Sequence, residues 1–208
     1  MKKLLVAVAV TMIAGPAAAD LMKPAAPIVV RGTIASINGR TLTVKINSGS
    51  QLVVVLTPDA KVAALTVIGI DQIKQDSFIG TAAKPGANGT LQALEVHVFA
   101  PSMRGLGEGH RAWDLGKTSS MTNGNVGSVT DGVGSVAAAQ GRMLTVDYKG
   151  GKQQIFVPQS VPIVAFAEGS IAQLVPGAHV FAFTMKAANG RLMAGQVAVG
   201  LNGVVPPM

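Results

Sequence analysis

The chain contains the same stretch of sequence twice, and this internal repeat limits its possible folds more than any other feature. The segment "GTIASINGRTLTV" (Gly32–Val44) matches "GSVAAAQGRMLTV" (Gly134–Val146) at seven of thirteen positions. Asn88–Val98 and Asn189–Val199 agree at six of eleven positions, at an offset of 101 residues instead of 102. The sequence therefore predicts two copies of one structural unit, joined by a segment that the copies do not share.

Within each copy the local patterns are those of β-strands. In "TLTVKI" (Thr41–Ile46) the apolar side chains alternate with polar ones, as in a strand with one buried face. Asn38-Gly39 precedes this strand, and Asn88-Gly89 and Asn189-Gly190 precede the last strand of each copy. Such pairs favour tight hairpin turns because both residue types tolerate a positive φ. Each copy is predicted to be three strands, a break and a hairpin.

The break between the third and fourth strands carries a helix signal. In "SIAQL" (Ser170–Leu174), Ser170 lies three residues before Gln173, the spacing of a capping box, and "GIDQI" (Gly69–Ile73) aligns with it in the first copy. A short helix at this point of a five-stranded meander is the element order of the OB-fold, a barrel with few free edges. We predict an all-β fold: two tandem five-stranded OB-like barrels, each with one short helix between strands three and four, joined by a glycine-rich strap.

The first twenty residues predict export. "MKKLLVAVAVTMIAGPAAAD" has two lysines, an apolar run and small residues before Asp20, which is the order of a secretory signal peptide cleaved after Ala19. The apolar run is shorter than the roughly 20 residues that span a bilayer. The predicted domains are a signal peptide (1–19), an N-terminal extension (20–27), the first barrel (28–100), the strap (101–125), the second barrel (126–201) and a C-terminal tail (202–208).

Export narrows the expected compartment and partners. The net charge of +7 would fall to +5 when Lys2 and Lys3 are removed with the signal peptide. The remaining positive charge is scattered, so we expect an anionic envelope component or another envelope protein as the partner and no nucleic acid. No later apolar run is long enough to span a membrane, and the chain has no cysteine for a disulfide. We predict a periplasmic or secreted protein.

The connecting segment "MRGLGEGHRAWDLG" (Met103–Gly116) contains the only tryptophan of the chain. Polar, glycine-rich connections run over the surface, where binding residues are often held, whereas a tryptophan can equally anchor a strap between two domains. Both interpretations involve the same candidate residues, which are Arg104, Glu108, His110, Arg111, Trp113 and Asp114.

Together with the export signal and the duplicated "NGR-x-LTV"-like hairpins, this segment and the "SSMTNGNV" that follows it resemble an uncharacterised group of bacterial secreted proteins. The resemblance covers essentially the whole mature chain, and it implies tandem small OB-like β-barrel domains of unknown function. Members are sometimes labelled metal-transporter permeases, but a permease needs several membrane spans and this chain has none after its signal peptide.

Metal binding is an alternative for the same segment. His110 with Glu108 and Asp114 is the only grouping that could begin a site, since the three histidines are far apart in the sequence. His97 lies in a last strand, where its same-face neighbours are Glu95 and Phe99, and His179 aligns with Phe78. We interpret both as ordinary strand histidines, because a metal site needs three or four converging donors.

Signatures of catalysis are missing from the sequence. There is no G-x-S-x-G elbow and no cysteine nucleophile, and "GLGEGH" lacks the ending of a phosphate loop. We therefore predict a protein that is not an enzyme and needs no cofactor: an exported, soluble cell-envelope binding or assembly module. The alternative is a periplasmic metal-binding protein that uses His110 with nearby carboxylates.

Overall fold

The computed structural model describes residues 27–133 and 140–208, and this part of the chain is all-β. The first copy forms six strands: β1 (Ile28–Asn38), β2 (Thr41–Ile46), β3 (Gln51–Val67), β4 (Phe78–Pro85), β5 (Leu91–Ala93) and β6 (Val96–Phe99). β7 (Gly109–Ala112) lies in the connection. The second copy forms β8 (Ser120–Val133), β9 (Gln140–Tyr148), β10 (Gly151–Pro158), β11 (Ile163–Glu168), β12 (His179–Lys186) and β13 (Leu192–Gly200).

Five strands close into a barrel. They follow one another in the order β13, β12, β1, β2, β3, and β13 also pairs with β3 in parallel, which completes the ring. The further strands form a second series of ladders that runs from β4 through β8, β9, β10 and β5 and back to β4. All-β architecture with a closed barrel is therefore confirmed.

The strands of each ring come from both copies. β12 and β13 of the second copy join β1 to β3 of the first, and β4 and β5 of the first copy join β8 to β10 of the second. β3 and β11 pair antiparallel between the two rings. The finer prediction of tandem barrels, each made from one copy, is not confirmed, because the copies have exchanged their final hairpins.

The length of β3 accounts for this exchange. It has 17 residues, which at about 3.3 Å per residue extend to roughly 55 Å. Such a strand continues beyond the barrel in which it begins, so that the hairpin after it pairs with the other ring. In the second copy the same path is made by β10 and β11, with a short break between them.

The elements predicted as short helices are single 3₁₀ turns at the expected positions, Ile70–Gln72 and Ile171–Gln173. In the second, Gln173 Oε1 accepts a hydrogen bond of 2.9 Å from the Ser170 main-chain N–H, as the capping-box spacing predicts. Each turn ends where the next side chain enters a core: Ile73 is 0% exposed and Leu174 is 1% exposed. This packing stops the turn from growing into an α-helix.

The structure corrects the alignment of the first strands. The segment aligned with β1 from Gly134 lies mostly outside the described residues, and the strand that pairs with β9 as β1 pairs with β2 is β8. A Cβ on Gly32 would lie 2.2 Å from the main-chain oxygen of Lys45, and a Cβ on Gly124 would lie 2.3 Å from that of Asp147. Both strands have a bulge two residues after this glycine, before a serine. Gly124 therefore corresponds to Gly32, and the strand begins inside the segment predicted as the strap.

Three apolar clusters hold the fold together. One fills the five-stranded barrel and one lies inside the second ring, and both consist of Val, Ile, Leu and Ala. The third lies between the rings and includes Phe78, Phe99, Phe166 and Phe181. The few aromatic side chains are thus concentrated at the junction of the two copies.

Within the described residues, no helix is long and apolar enough to cross a membrane.

Candidate functional site

Trp113 lies at the junction of the two rings. Its ring packs on the edge of the third cluster and meets Phe183 edge-on, with the ring centroids 6.0 Å apart. Its main-chain N–H donates to Ser119 O, and its main-chain oxygen accepts from the Ser119 hydroxyl, both at 2.9 Å. The connecting segment is therefore folded on itself around a half-buried tryptophan.

Asp114 fastens the connecting segment to β1. Both of its carboxylate oxygens accept hydrogen bonds from the Arg31 guanidinium, at 2.7 and 2.9 Å. Arg31 also lies over the ring of Phe181, 5.0 Å from the centroid, and donates to the main-chain oxygen of Met208. Asp114 and Arg31 thus form an ion pair between the connecting segment and β1.

Three of the four remaining candidates, all except Arg111, fasten the segment to the second ring. Arg104 donates to the Asn125 side chain, and Glu108 accepts a 2.9 Å hydrogen bond from the main-chain N–H of Lys149. His110 shares a 2.8 Å hydrogen bond with the Thr122 hydroxyl.

These contacts bear on the metal alternative, which needs His110, Glu108 and Asp114 to converge. The three side chains contact three different partners, and no group of three potential metal-ligating side chains occurs in residues 27–133 and 140–208. The structure does not bring the predicted metal ligands together.

A cleft of ≈ 870 Å³ opens between the two rings, beside the connecting segment. Of the six predicted site residues, Arg111 and Trp113 line it and the other four do not. Aromatic side chains from both copies form much of its wall: Phe99, Phe166, Phe181 and Phe183. A concave, mostly apolar site of this size between structural units is typical of small-molecule binding sites.

A row of three residues across neighbouring strands forms the polar side of the cleft. His97 on β6 pairs with Gly80 on β4, and Gly80 pairs with Asn123 on β8. A Cβ on Gly80 would lie 2.8 Å from Asn123 Oδ1 and 3.1 Å from the ring of Phe99. Because the middle position has no side chain, the two polar residues on either side of it have room to line the cleft.

The corresponding row in the other ring has a different chemical character. Ala198 on β13 pairs with Phe181 on β12, and Phe181 pairs with Arg31 on β1. A large ring therefore fills the middle position that a glycine leaves open in the first row. Although the two rows are equivalent in the ladders, the first contributes the polar residues His97 and Asn123 to the cleft. The second contributes Phe181 and Ala198, whereas Arg31 does not line it.

His97 is held by a carboxylate inside the protein. Its Nε2 lies 2.8 Å from Glu95 Oε2, and the two side chains are 3% and 1% exposed. The ring of His97 also packs on Phe166, with a centroid distance of 5.0 Å. Burying two ionisable groups is costly even when they are paired. This pair is therefore a stronger sign of function than any charged residue of the connecting segment.

Three buried polar atoms near the cleft have no hydrogen-bond partner among the described residues: Asn123 Oδ1, Trp113 Nε1 and Glu95 Oε1. Asn123 uses its amide N–H to donate to Leu106 O at 2.9 Å, which orients the oxygen away from that bond. Buried polar atoms are nearly always hydrogen-bonded, so unpartnered ones beside a cleft indicate where a ligand or ordered water would bind.

Arg111 lies at the exposed rim of the cleft. Its guanidinium donates to Gly107 O at 2.8 Å and lies 5.7 Å from the centroid of the Trp113 ring. Partial desolvation lowers the pKa of Arg111 below its ordinary value. No carboxylate forms a salt bridge with it in the described part of the chain.

Sequence reasoning placed His97 and Glu95 on one strand face but interpreted the histidine as ordinary, and it did not select Asn123. The sequence signal that could have identified this pair is a histidine two residues after a glutamate in the last strand of the first copy. The second copy has Ala198 at the position of the histidine. His179 is half-buried, and its ring lies 3.1 Å from the Thr33 hydroxyl.

The arrangement can recognise a ligand by shape and hydrogen bonding. His97 could also move a proton, but neither hydroxyl that lines the cleft, of Ser102 or Ser170, is hydrogen-bonded to it in the described residues. A histidine activates a nucleophile only within hydrogen-bond reach.

Comparisons of the chain with protein-family models, curated proteins and solved structures returned no match. The resemblance drawn from the sequence therefore stays a prediction.

Proposed function

We propose that this protein is an exported, non-catalytic binding module of the cell envelope, and that its ligand occupies the cleft between the two rings. The signal-like N-terminus supports export. In this proposal the two copies form OB-like barrels that exchange their final hairpins. The exchange makes the junction a permanent part of the fold and therefore a fixed place for a ligand.

The observation that carries the proposal is the difference between the two equivalent rows. The copies retain the same strand pairings, yet one row is His97, Gly80 and Asn123 and the other is Ala198, Phe181 and Arg31. Barrel folding alone does not require a buried histidine–glutamate pair on one side of the junction. A binding site that contacts a polar group on one wall and an apolar group on the other would require this asymmetry.

The test uses the neutral apolar dye N-phenyl-1-naphthylamine as the probe. Trp113 is the only tryptophan and lines the cleft, so dye bound there quenches its fluorescence by energy transfer. We expect saturable binding at one site. Asn123→Leu, which removes a polar atom from the cleft, should alter the dye affinity. Asn47→Leu, which changes an exposed asparagine in the turn after β2 and outside the cleft, should leave it unchanged.

Failure of the dye to bind contradicts the proposal, and so do two patterns of binding. The first is dye binding that does not saturate, which would indicate non-specific adsorption. The second is one-site binding that responds equally to the two asparagine substitutions, because the dye would then occupy a site elsewhere on the protein.

A further inference from the structure

We propose that the ligand of the cleft is an amphipathic anion, a molecule with an apolar body and one anionic head group, and that Arg111 binds the head group. This inference rests on the proposed function and adds the chemical class of the ligand. It depends on where the apolar and the charged groups of the cleft lie relative to each other.

The apolar part of the cleft is its interior. Phe99, Phe166 and Phe181 are 9%, 6% and 3% exposed and belong to one packed cluster with Trp113 at its edge. Leu106 and Phe183 also line the cleft and are 38% and 36% exposed, so an aliphatic or aromatic body placed against them covers apolar surface that now faces water. Burial of such apolar area supplies most of the affinity of a small ligand.

The charged part of the cleft is its rim. Arg111 and Lys61 contribute two positive charges and Glu168 contributes one negative charge, and all three residues are exposed. Inside, His97 already has a carboxylate partner in Glu95. Met208 also lines the cleft, but its main-chain oxygen already accepts a hydrogen bond from Arg31. Of the charged groups at the rim, Arg111 lies against the Trp113 ring and forms no salt bridge among the described residues, which matches the polarity of an amphipathic anion.

Arg111 is the cation best placed to bind the head group. Its contacts with Gly107 O and the Trp113 ring fix its position and leave guanidinium N–H groups without a carboxylate. The desolvation that lowers its pKa also strengthens its attraction for an anion, since fewer water molecules compete.

The experiment compares three amphiphiles that share one alkyl chain: decanoate, decanol and decyltrimethylammonium. Each is titrated below its micelle concentration against the protein loaded with N-phenyl-1-naphthylamine, and displacement of the dye is measured. We expect decanoate to bind most tightly and the cationic amphiphile least tightly. In Arg111→Gln, decanoate should bind about tenfold more weakly, as for the loss of one charge-assisted contact, while decanol should be unaffected.

Arg191→Gln is the matched control, because Arg191 is an exposed arginine that does not line the cleft, and it should behave as the unmodified protein. Glu168→Gln should strengthen decanoate binding by removing the negative charge of the rim. The inference is overturned if decanoate and decanol bind equally, or if Arg111→Gln weakens both to the same extent. Failure of the dye itself to bind would instead refute the proposed function. Binding to phosphatidylglycerol vesicles without displacement of dye by decanoate would refute the small-molecule ligand and indicate a membrane surface.

Discussion

Replacing His97 by phenylalanine removes the partner of a buried carboxylate while keeping a ring of similar shape. Glu95 Oε2 would lose its contact with Nε2 at 2.8 Å, and Glu95 Oε1 already has no partner among the described residues. The Glu95 side chain is 1% exposed, so water cannot readily replace the lost contact. We therefore expect this substitution to destabilise the protein although it adds apolar surface.

The size of the effect follows from the cost of leaving a buried carboxyl group without its partner. Breaking a buried ion pair from one side costs about 3–5 kcal/mol, whereas replacing both partners by apolar residues is close to neutral. At roughly 2–4 °C per kcal/mol for a chain of this size, His97→Phe should lower Tm by about 10 °C. The double variant Glu95→Leu/His97→Phe should recover most of that loss.

Urea unfolding, followed both by far-ultraviolet circular dichroism and by Trp113 fluorescence, measures the free energy of unfolding. Coincident transitions from the two signals are required before the values are compared. His179→Phe is the control, because His179 is half-buried, its partner is a hydroxyl and the other copy has Phe78 at this position. It should cost less than about 1 kcal/mol. The reasoning fails if His97→Phe costs no more than this control, or if the double variant is less stable than the single one.

Three further predictions concern the fold. Gly124→Ala should lower the free energy of unfolding by more than about 1 kcal/mol, since its Cβ would lie 2.3 Å from Asp147 O. Gly195→Ala is the control and should be tolerated, because the nearest atom to its Cβ is 3.8 Å away. Equal Tm values for the two variants would contradict the close strand approach at Gly124 on which its equivalence with Gly32 depends. Leu144→Ala removes a side chain that is 0% exposed in the second ring and should cost about 2–5 kcal/mol in urea unfolding, so a cost near zero would mean that this core is not packed. Asp114→Asn breaks the ion pair with Arg31, in which the Arg31 and Asp114 side chains are 30% and 47% exposed. Because exposed pairs contribute little, the free energy of unfolding should change by less than about 1 kcal/mol. A larger loss would show that the connecting segment is held mainly by this pair.

Some features of the fold could be predicted from local sequence because they depend on neighbouring residues. The alternation in Thr41–Ile46 predicts a strand, and β2 has these bounds. Asn88-Gly89 predicts a turn, and both residues have a positive φ. Ser170 and Gln173 predict a capped turn, which forms as a 3₁₀ turn. In each case the physical cause acts over a few residues.

The candidate site could be predicted only in part, because it depends on residues that are distant in the sequence. Trp113 and Arg111 stand out in the sequence because of residue type, and both line the cleft. Asn123 is an unremarkable residue of a strand, and its role depends on Gly80, which is distant in the sequence and adjacent in the sheet. His97 looked like an ordinary strand residue because its burial depends on phenylalanines supplied by other strands.

The sequence by itself determined the repeat, the all-β character, the turns and the composition of the cores, because these follow from backbone preferences and from side-chain periodicity. The tertiary structure alone decided which strands pair. It is the length of β3 and its pairing with β11 and β13 that send each final hairpin to the other ring. The cleft exists because of that exchange, since it lies where strands of both copies meet. Such a site depends on contacts between distant parts of the chain, which no local pattern of residues encodes.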